Sequence, residues 1–119
     1  MSNIVIIPTY KEKENVEAII KAISSLPTQF DILIIDDNSP DGTADIVKAM
    51  QPAFRNVHIL ERAGKLGLGT AYIAGFKWAL ENGYSYIFEM DADFSHDPRD
   101  LIRLFNTCKD EGAAVAIGS

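Results

Sequence analysis

The chain has 119 residues, 47% of them hydrophobic, and a chain of this size buries roughly two thirds of its unfolded surface, enough for one core and too little for two domains. Lys and Arg total 11 against 17 Asp and Glu, a net charge of -6, which excludes the basic footprint that grips nucleic acid or anionic headgroups. An anionic ligand therefore needs a local positive element, such as a metal ion.

Apolar runs alternate with helical patterns along the whole chain. "NIVII" (Asn3 to Ile7) reads as a buried strand, and after "PTYKEKEN" Val16, Ile19, Ile20 and Ile23 recur at the spacing of one helix face, ending near Leu26-Pro27. "ILII" (Ile32 to Ile35) predicts a second strand, followed by "DDNSPDGT" and a short helix with Ile46, Val47 and Met50 on one face, N-capped by Thr43 and stopped by Pro52. "VHIL" (Val57 to Leu60) is the third strand, and "RAGKLGLGT" leads into a helix whose apolar stripe is Ile73, Phe76 and Leu80, closed by Asn82-Gly83. "YIFEM" is the fourth strand. Asp97 then caps a helix with Pro98 at its first position and Leu101, Ile102, Phe105 and Cys108 as its buried stripe, and "AVAIG" supplies a fifth strand. Strands that are apolar on both faces and separated by helices imply an α/β fold: an open, mostly parallel sheet covered on each side.

Neither a secretory signal nor the ~20-residue apolar run of a membrane helix is present. A single cysteine, Cys108, forms no internal bridge and reads as a core thiol. These features predict a cytoplasmic chain.

In open parallel sheets ligands bind beyond the carboxyl ends of the strands, where this sequence places "PTY", "DDNSPDG" and "DADFSH". Asp91 and Asp93 are separated by one residue, so on extended backbone their carboxylates point the same way and share one hard cation. Mg²⁺ or Mn²⁺ suits such a site, because these ions take one or two carboxylates and fill their remaining positions with water and substrate phosphates. Asp36 and Asp37 face opposite ways at their strand end, and Asp37 is expected in the cleft, accepting hydrogen bonds from a ribose or a base edge. Ser39 to Gly42 read as turn chemistry. "GKLGLGT" lacks the ending of a P-loop, and Tyr72 stands where a dinucleotide fingerprint needs its third glycine. Gly67 and Gly69 are expected to let backbone approach closely, and Lys65 reads as solvated. Tyr10 and Glu12 offer a stacking ring beside a carboxylate, His58 reads as structural, and His96 borders the acidic loop.

Pro8-Thr9-Tyr10 with Glu12 and Asn15, then Asp36 to Thr43, then Lys65 to Tyr72, then Asp91-Ala92-Asp93 with Ser95-His96, resemble the inverting family-2 glycosyltransferases and within them the dolichol-phosphate (polyprenol-phosphate) mannosyltransferases. The resemblance implies a GT-A fold and an enzyme that transfers a sugar, typically mannose from GDP-mannose, to a polyprenyl phosphate with inversion. It implies that Pro8, Tyr10, Glu12, Ile35 and Asp37 line the nucleotide pocket, that Asp91, Ala92 and Asp93 flank the diphosphate, and that Asp91 and Asp93 reach the metal. Relatives can carry a glutamine that helps hold the metal where this chain has Ser95. The family's domain continues past "AVAIGS", so residues 1–119 are expected to be its nucleotide-sugar-binding part, peripheral to the cytoplasmic face of a membrane. Two rivals stand beside this reading: a Mg²⁺-binding signalling receiver domain, and a non-catalytic nucleotide-sugar-binding fragment.

Overall fold

A computed structural model describes residues 3–64, 67–95, 97–111 and 115–117. The elements follow in the order β1 (Asn3–Thr9), α1 (Val16–Ser24), β2 (Asp31–Asp36), α2 (Thr43–Met50), β3 (Val57–Glu61), α3 (Leu68–Glu81), β4 (Tyr86–Glu89), α4 (Asp100–Glu111) and β5 (Val115–Ile117). All neighbouring strands pair parallel, in the spatial order β3-β2-β1-β4-β5. That order separates the chain from a receiver domain, in which the first strand lies between the second and the third.

Alternate side chains of each strand point to opposite faces, and both faces are covered. Val5, Ile7, Ile32, Ile34 and Phe88 pack against Val16, Ile19, Ile20 and Ile23 of α1, Val47 and Met50 of α2 and Leu101 of α4. Ile4, Ile6, Leu33, Ile35 and Ile87 pack against Ala71 and Ala79 of α3. Helix α1 buries the stripe its spacing predicts and ends at Ser24, where Leu26 N–H donates back to the Ile23 carbonyl.

Helix α3 departs from expectation. Ile73 and Leu80 are 63% and 57% exposed, and only Phe76 of the predicted stripe is packed against the core. The buried face is instead the row Ala71, Gly75, Ala79, flanked by Tyr72, Phe76 and Trp78. A Cβ at Gly75 would stand 2.6 Å from Ile6 Cγ2, so close approach to β1 is made there; one at Gly67 or Gly69 would meet nothing within 4 Å. Gly67 serves a different need, a φ of 101° at the helix N-cap that a side chain would resist.

Two caps also differ. Gly42, with φ 91°, is the N-cap of α2, and Thr43 is the first helical residue. Before α4, Asp97 accepts the Arg99 N–H at 2.9 Å in a turn, and the helix itself begins at Asp100. The side chain of Cys108 lies outside the described residues. His58 sits near Tyr84 and Asp31 and against the Trp78 ring, as a structural histidine. Among the described residues no helix is long and apolar enough to cross a membrane.

Candidate donor-binding cleft

The strand order reverses at β1: β2 and β3 lie on one side of it, β4 and β5 on the other. The loops after β1, β2 and β4 lead to helices on one face of the sheet and α3 starts on the other, which leaves a crevice between them at the strand ends. A cleft of about 310 Å³ lies there, lined by Pro8, Thr9, Tyr10, Glu12, Asp37, Gly67, Ala71, Asp91, Ala92 and Asp93. The structure thus brings together the predicted residues from three separate loops, with one exception. Ile35 is fully buried in the core beneath α3, because its place in β2 turns its side chain into the sheet packing, and it does not line the cleft. Lys65 and His96 lie outside the described residues.

Asp36 and Asp37 divide as alternation requires. Asp36 is 1% exposed and structural: its Oδ1 accepts the hydroxyls of Thr9 and Ser39, both at 2.7 Å, and its Oδ2 accepts the Ser39 N–H at 2.9 Å. Asp37 reaches the cleft, and its N–H donates to the Thr9 carbonyl at 3.1 Å, tying the ends of β1 and β2. Arg62 grips its carboxylate in a fork, Nε to Oδ1 at 2.6 Å and Nη2 to Oδ2 at 2.8 Å.

The turn after Asp37 does more than reverse the chain. The Lys11 N–H donates to Ser39 Oγ at 2.9 Å, the Glu12 N–H to Thr43 Oγ1 at 3.1 Å and the Lys13 N–H to Asp41 Oδ2 at 3.2 Å. "SPDGT" thereby holds the loop that carries Tyr10 and Glu12. The Thr43 hydroxyl, followed by the backbone N–H groups of Lys13 and Thr43, keeps the Asp41 carboxyl below the usual carboxylate range. Glu12 in turn accepts the Asn15 side-chain amide at 3.2 Å.

On the other wall, Tyr72 Oη donates to Asp91 Oδ1 at 3.0 Å. Burial, then the charge of Asp91, raises the Tyr72 phenol above its ordinary value, so it stays a donor. Asp93 is exposed, and its Oδ1 accepts the Ser95 N–H at 3.0 Å. Among the described residues three non-glycine residues have left-handed backbone, Lys11, Asn38 and Phe94 at φ 57°, 54° and 60°, one each in the loops after β1, β2 and β4. Such strain collects where a loop is held to a purpose.

Among the described residues no three His, Cys, Asp or Glu side chains cluster closely enough to hold a metal by themselves. Asp91 and Asp93, half-buried and exposed in one cleft, fit instead a hard cation that keeps water and ligand oxygens in its other positions. Sequence reasoning missed Thr9, Gly67 and Ala71 in the cleft wall and two side chains that hold its carboxylates, Arg62 and Tyr72. Arg62 was legible in principle, since the register of Asp36 with Glu61 sets the next residues, Asp37 and Arg62, side by side. In the sequence Tyr72 marks the lack of a glycine, and nothing there announces the bond its hydroxyl makes to Asp91.

The sequence profile described as Glycosyl transferase family 2 matches residues 4–119. Polyprenol monophosphomannose synthase of Mycolicibacterium smegmatis is 48% identical over 117 residues, 98% of this chain and 44% of that protein. Undecaprenyl-phosphate mannosyltransferase of Micrococcus luteus is 44% identical over 119 residues, 100% of this chain and 48% of that protein. The chain spans about half the length of the curated relatives it matches. Among solved structures, the mannosyltransferase PcManGT from Pyrobaculum calidifontis in complex with GDP-Man and Mn²⁺ superposes with a TM-score of 0.69 at 22% identity, covering 76% of this chain and 27% of that one. S. aureus TarS 1-349 superposes with a TM-score of 0.73 at 22% identity, covering 94% of this chain and 33% of that one. These likenesses are of fold, and the fold is the GT-A arrangement of a parallel sheet between helices.

Proposed function

Because the chain belongs to glycosyl transferase family 2, we propose that it is the nucleotide-sugar-binding part of an enzyme that moves a sugar, mannose from GDP-mannose, to a polyprenyl phosphate with inversion. The observation that carries this reading is the meeting of Pro8, Tyr10, Glu12 and Asp37 with Asp91, Ala92 and Asp93 in one cleft at the β1/β4 crevice. The names of the relatives, a polyprenol monophosphomannose synthase and an undecaprenyl-phosphate mannosyltransferase, support the choice of sugar and lipid acceptor.

Tyr10 and Glu12 take the base by stacking and hydrogen bonding, Asp37 takes the nucleoside's donors, and Asp91, Ala92 and Asp93 flank the diphosphate. Asp91 and Asp93 are the residues that would hold Mg²⁺ or Mn²⁺, and that ion, when bound, offsets the charge that builds on the departing nucleoside diphosphate. The acceptor phosphate is already anionic at neutral pH, so the chemistry has no need of the general base that activates a hydroxyl. A lipid-linked acceptor places the work at a membrane surface, reached from the cytoplasmic side.

Calorimetry with GDP-mannose, UDP-glucose and UDP-N-acetylglucosamine, each with Mn²⁺ and with chelator, tests the reading. GDP-mannose is expected to bind most tightly, with Mn²⁺ tightening it. In Asp93→Ala the metal-dependent increment disappears while the fold persists, since this side chain is exposed. Binding that ignores both the nucleotide and Asp93 would overturn the assignment.

A further inference from the structure

We propose that Arg62 is a positioning residue for the nucleoside end of the cleft, fixing the direction of the Asp37 carboxylate and cancelling its charge; this rests on the donor-site reading above. The two side chains are nearly enclosed, 11% exposed for Arg62 and 9% for Asp37. The guanidinium fork engages both carboxylate oxygens and leaves a further lone pair on each. Asp37 therefore still accepts a hydrogen bond from a hydroxyl or N–H in the cleft, but only along the directions the fork leaves open.

Arg62 is itself held on every side. Its backbone N–H donates to the Asp36 carbonyl at 2.8 Å, its Nη1 to Thr70 Oγ1 at 3.0 Å and its Nη2 also to the Gly67 carbonyl at 3.3 Å. All three guanidinium nitrogens are donating, so the end of β2 is bound to the first turn of α3, which supplies Gly67 and Ala71 to the cleft wall. Lysine offers one compact ammonium and cannot span both carboxylate oxygens while reaching Gly67 and Thr70.

Charge gives the arrangement its purpose. Glu12, Asp37, Asp91 and Asp93 all line the cleft, and each repels a diphosphate. Arg62 removes the charge of one of them from behind, without taking up room in the cleft.

The test is calorimetry with GDP, in Mn²⁺ and in chelator, on the wild-type chain, Arg62→Gln, Arg62→Lys, Asp37→Asn and the double variant Arg62→Gln/Asp37→Asn, with an unfolding midpoint for each. Arg62→Gln and Asp37→Asn are each expected to weaken GDP by about tenfold or more, the order of one lost hydrogen bond to a charged group. Arg62→Lys recovers little, the double variant is no weaker than the weaker single, and the fold-loss is the same with and without Mn²⁺. Should Arg62→Gln fail to fold, Arg62→Lys, which keeps the charge, decides. Unchanged GDP affinity in the folded Arg62 variants overturns the inference, as do losses that multiply in the double variant or a lowered unfolding midpoint as the sole effect. A wild-type chain that binds no GDP overturns the donor-site reading itself.

Discussion

Gly75→Ala is expected to loosen the cleft from a distance. Gly75 lies in the middle of α3 where the helix crosses β1, and an added Cβ would stand 2.6 Å from Ile6 Cγ2, 3.1 Å from Cδ1 and 3.2 Å from Cγ1. Carbon atoms rest at about 3.5–4.0 Å, so roughly 1 Å of separation has to be found. Ile6 cannot supply it: it is fully buried in the central strand, in register with Leu33 on one side and Glu89 on the other. The helix must back away. Overpacking of this kind costs ~1–3 kcal/mol, and a contact this short belongs in the upper part of that range; alanine's better helix propensity returns ~1 kcal/mol. The net loss is therefore about 1–2 kcal/mol, a fall in unfolding midpoint of roughly 4–8 °C. The same shift moves the first turn of α3, so GDP affinity falls as well. Urea and thermal unfolding read the stability, and Ile6→Ala, which deletes the clashing atoms, should make Gly75→Ala nearly harmless in the double variant. If Gly75→Ala is as stable as wild type, or if the two losses simply add, the packing argument is wrong.

Tyr72→Phe deletes the hydroxyl that holds Asp91 Oδ1 at 3.0 Å and leaves the ring in place, so the Mn²⁺ affinity read by electron paramagnetic resonance is expected to fall about tenfold with little change in stability; equal affinity would deny Tyr72 any part in orienting Asp91. Glu89→Gln tests burial: desolvation raises the Glu89 carboxyl above its ordinary 4.5, so the protonated form favours the fold and that contribution is lost as pH rises through the raised value. The glutamine variant should match wild type at about pH 4 and exceed it in denaturant unfolding at about pH 7; parallel stability curves across that window would contradict it.

The central strands, the face of α1 and the acidic loops were legible because their signals are local. A run such as Ile32 to Ile35 is buried on both faces, and carboxylates crowded at the end of an apolar strand stand out in the sequence even though Ala92 and Asp93 lie in a turn rather than on extended backbone. The stripe of α3 was misread for a physical reason. Large apolar residues mark a helix face only where the neighbour stands at an ordinary distance, and here contact with Ile6 favours the small row Ala71, Gly75, Ala79 and leaves Ile73 and Leu80 outside.

Thr43 was misread in a related way. Its hydroxyl accepts the Glu12 N–H, a partner 31 residues away, rather than capping its own helix. The fork between Arg62 and Asp37 likewise joins positions 25 apart in sequence. Local propensity carries no record of such bonds; only strand register, which sets the ends of β1, β2 and β3 side by side, could have disclosed them. Register also explains why the residues that line the cleft were easier to find than those that hold it. A carboxylate meant for a ligand is conspicuous in a turn, whereas the groups that aim it come from other segments, Arg62 from the neighbouring strand end and Tyr72 from α3, and carry no mark of that role in their own segment.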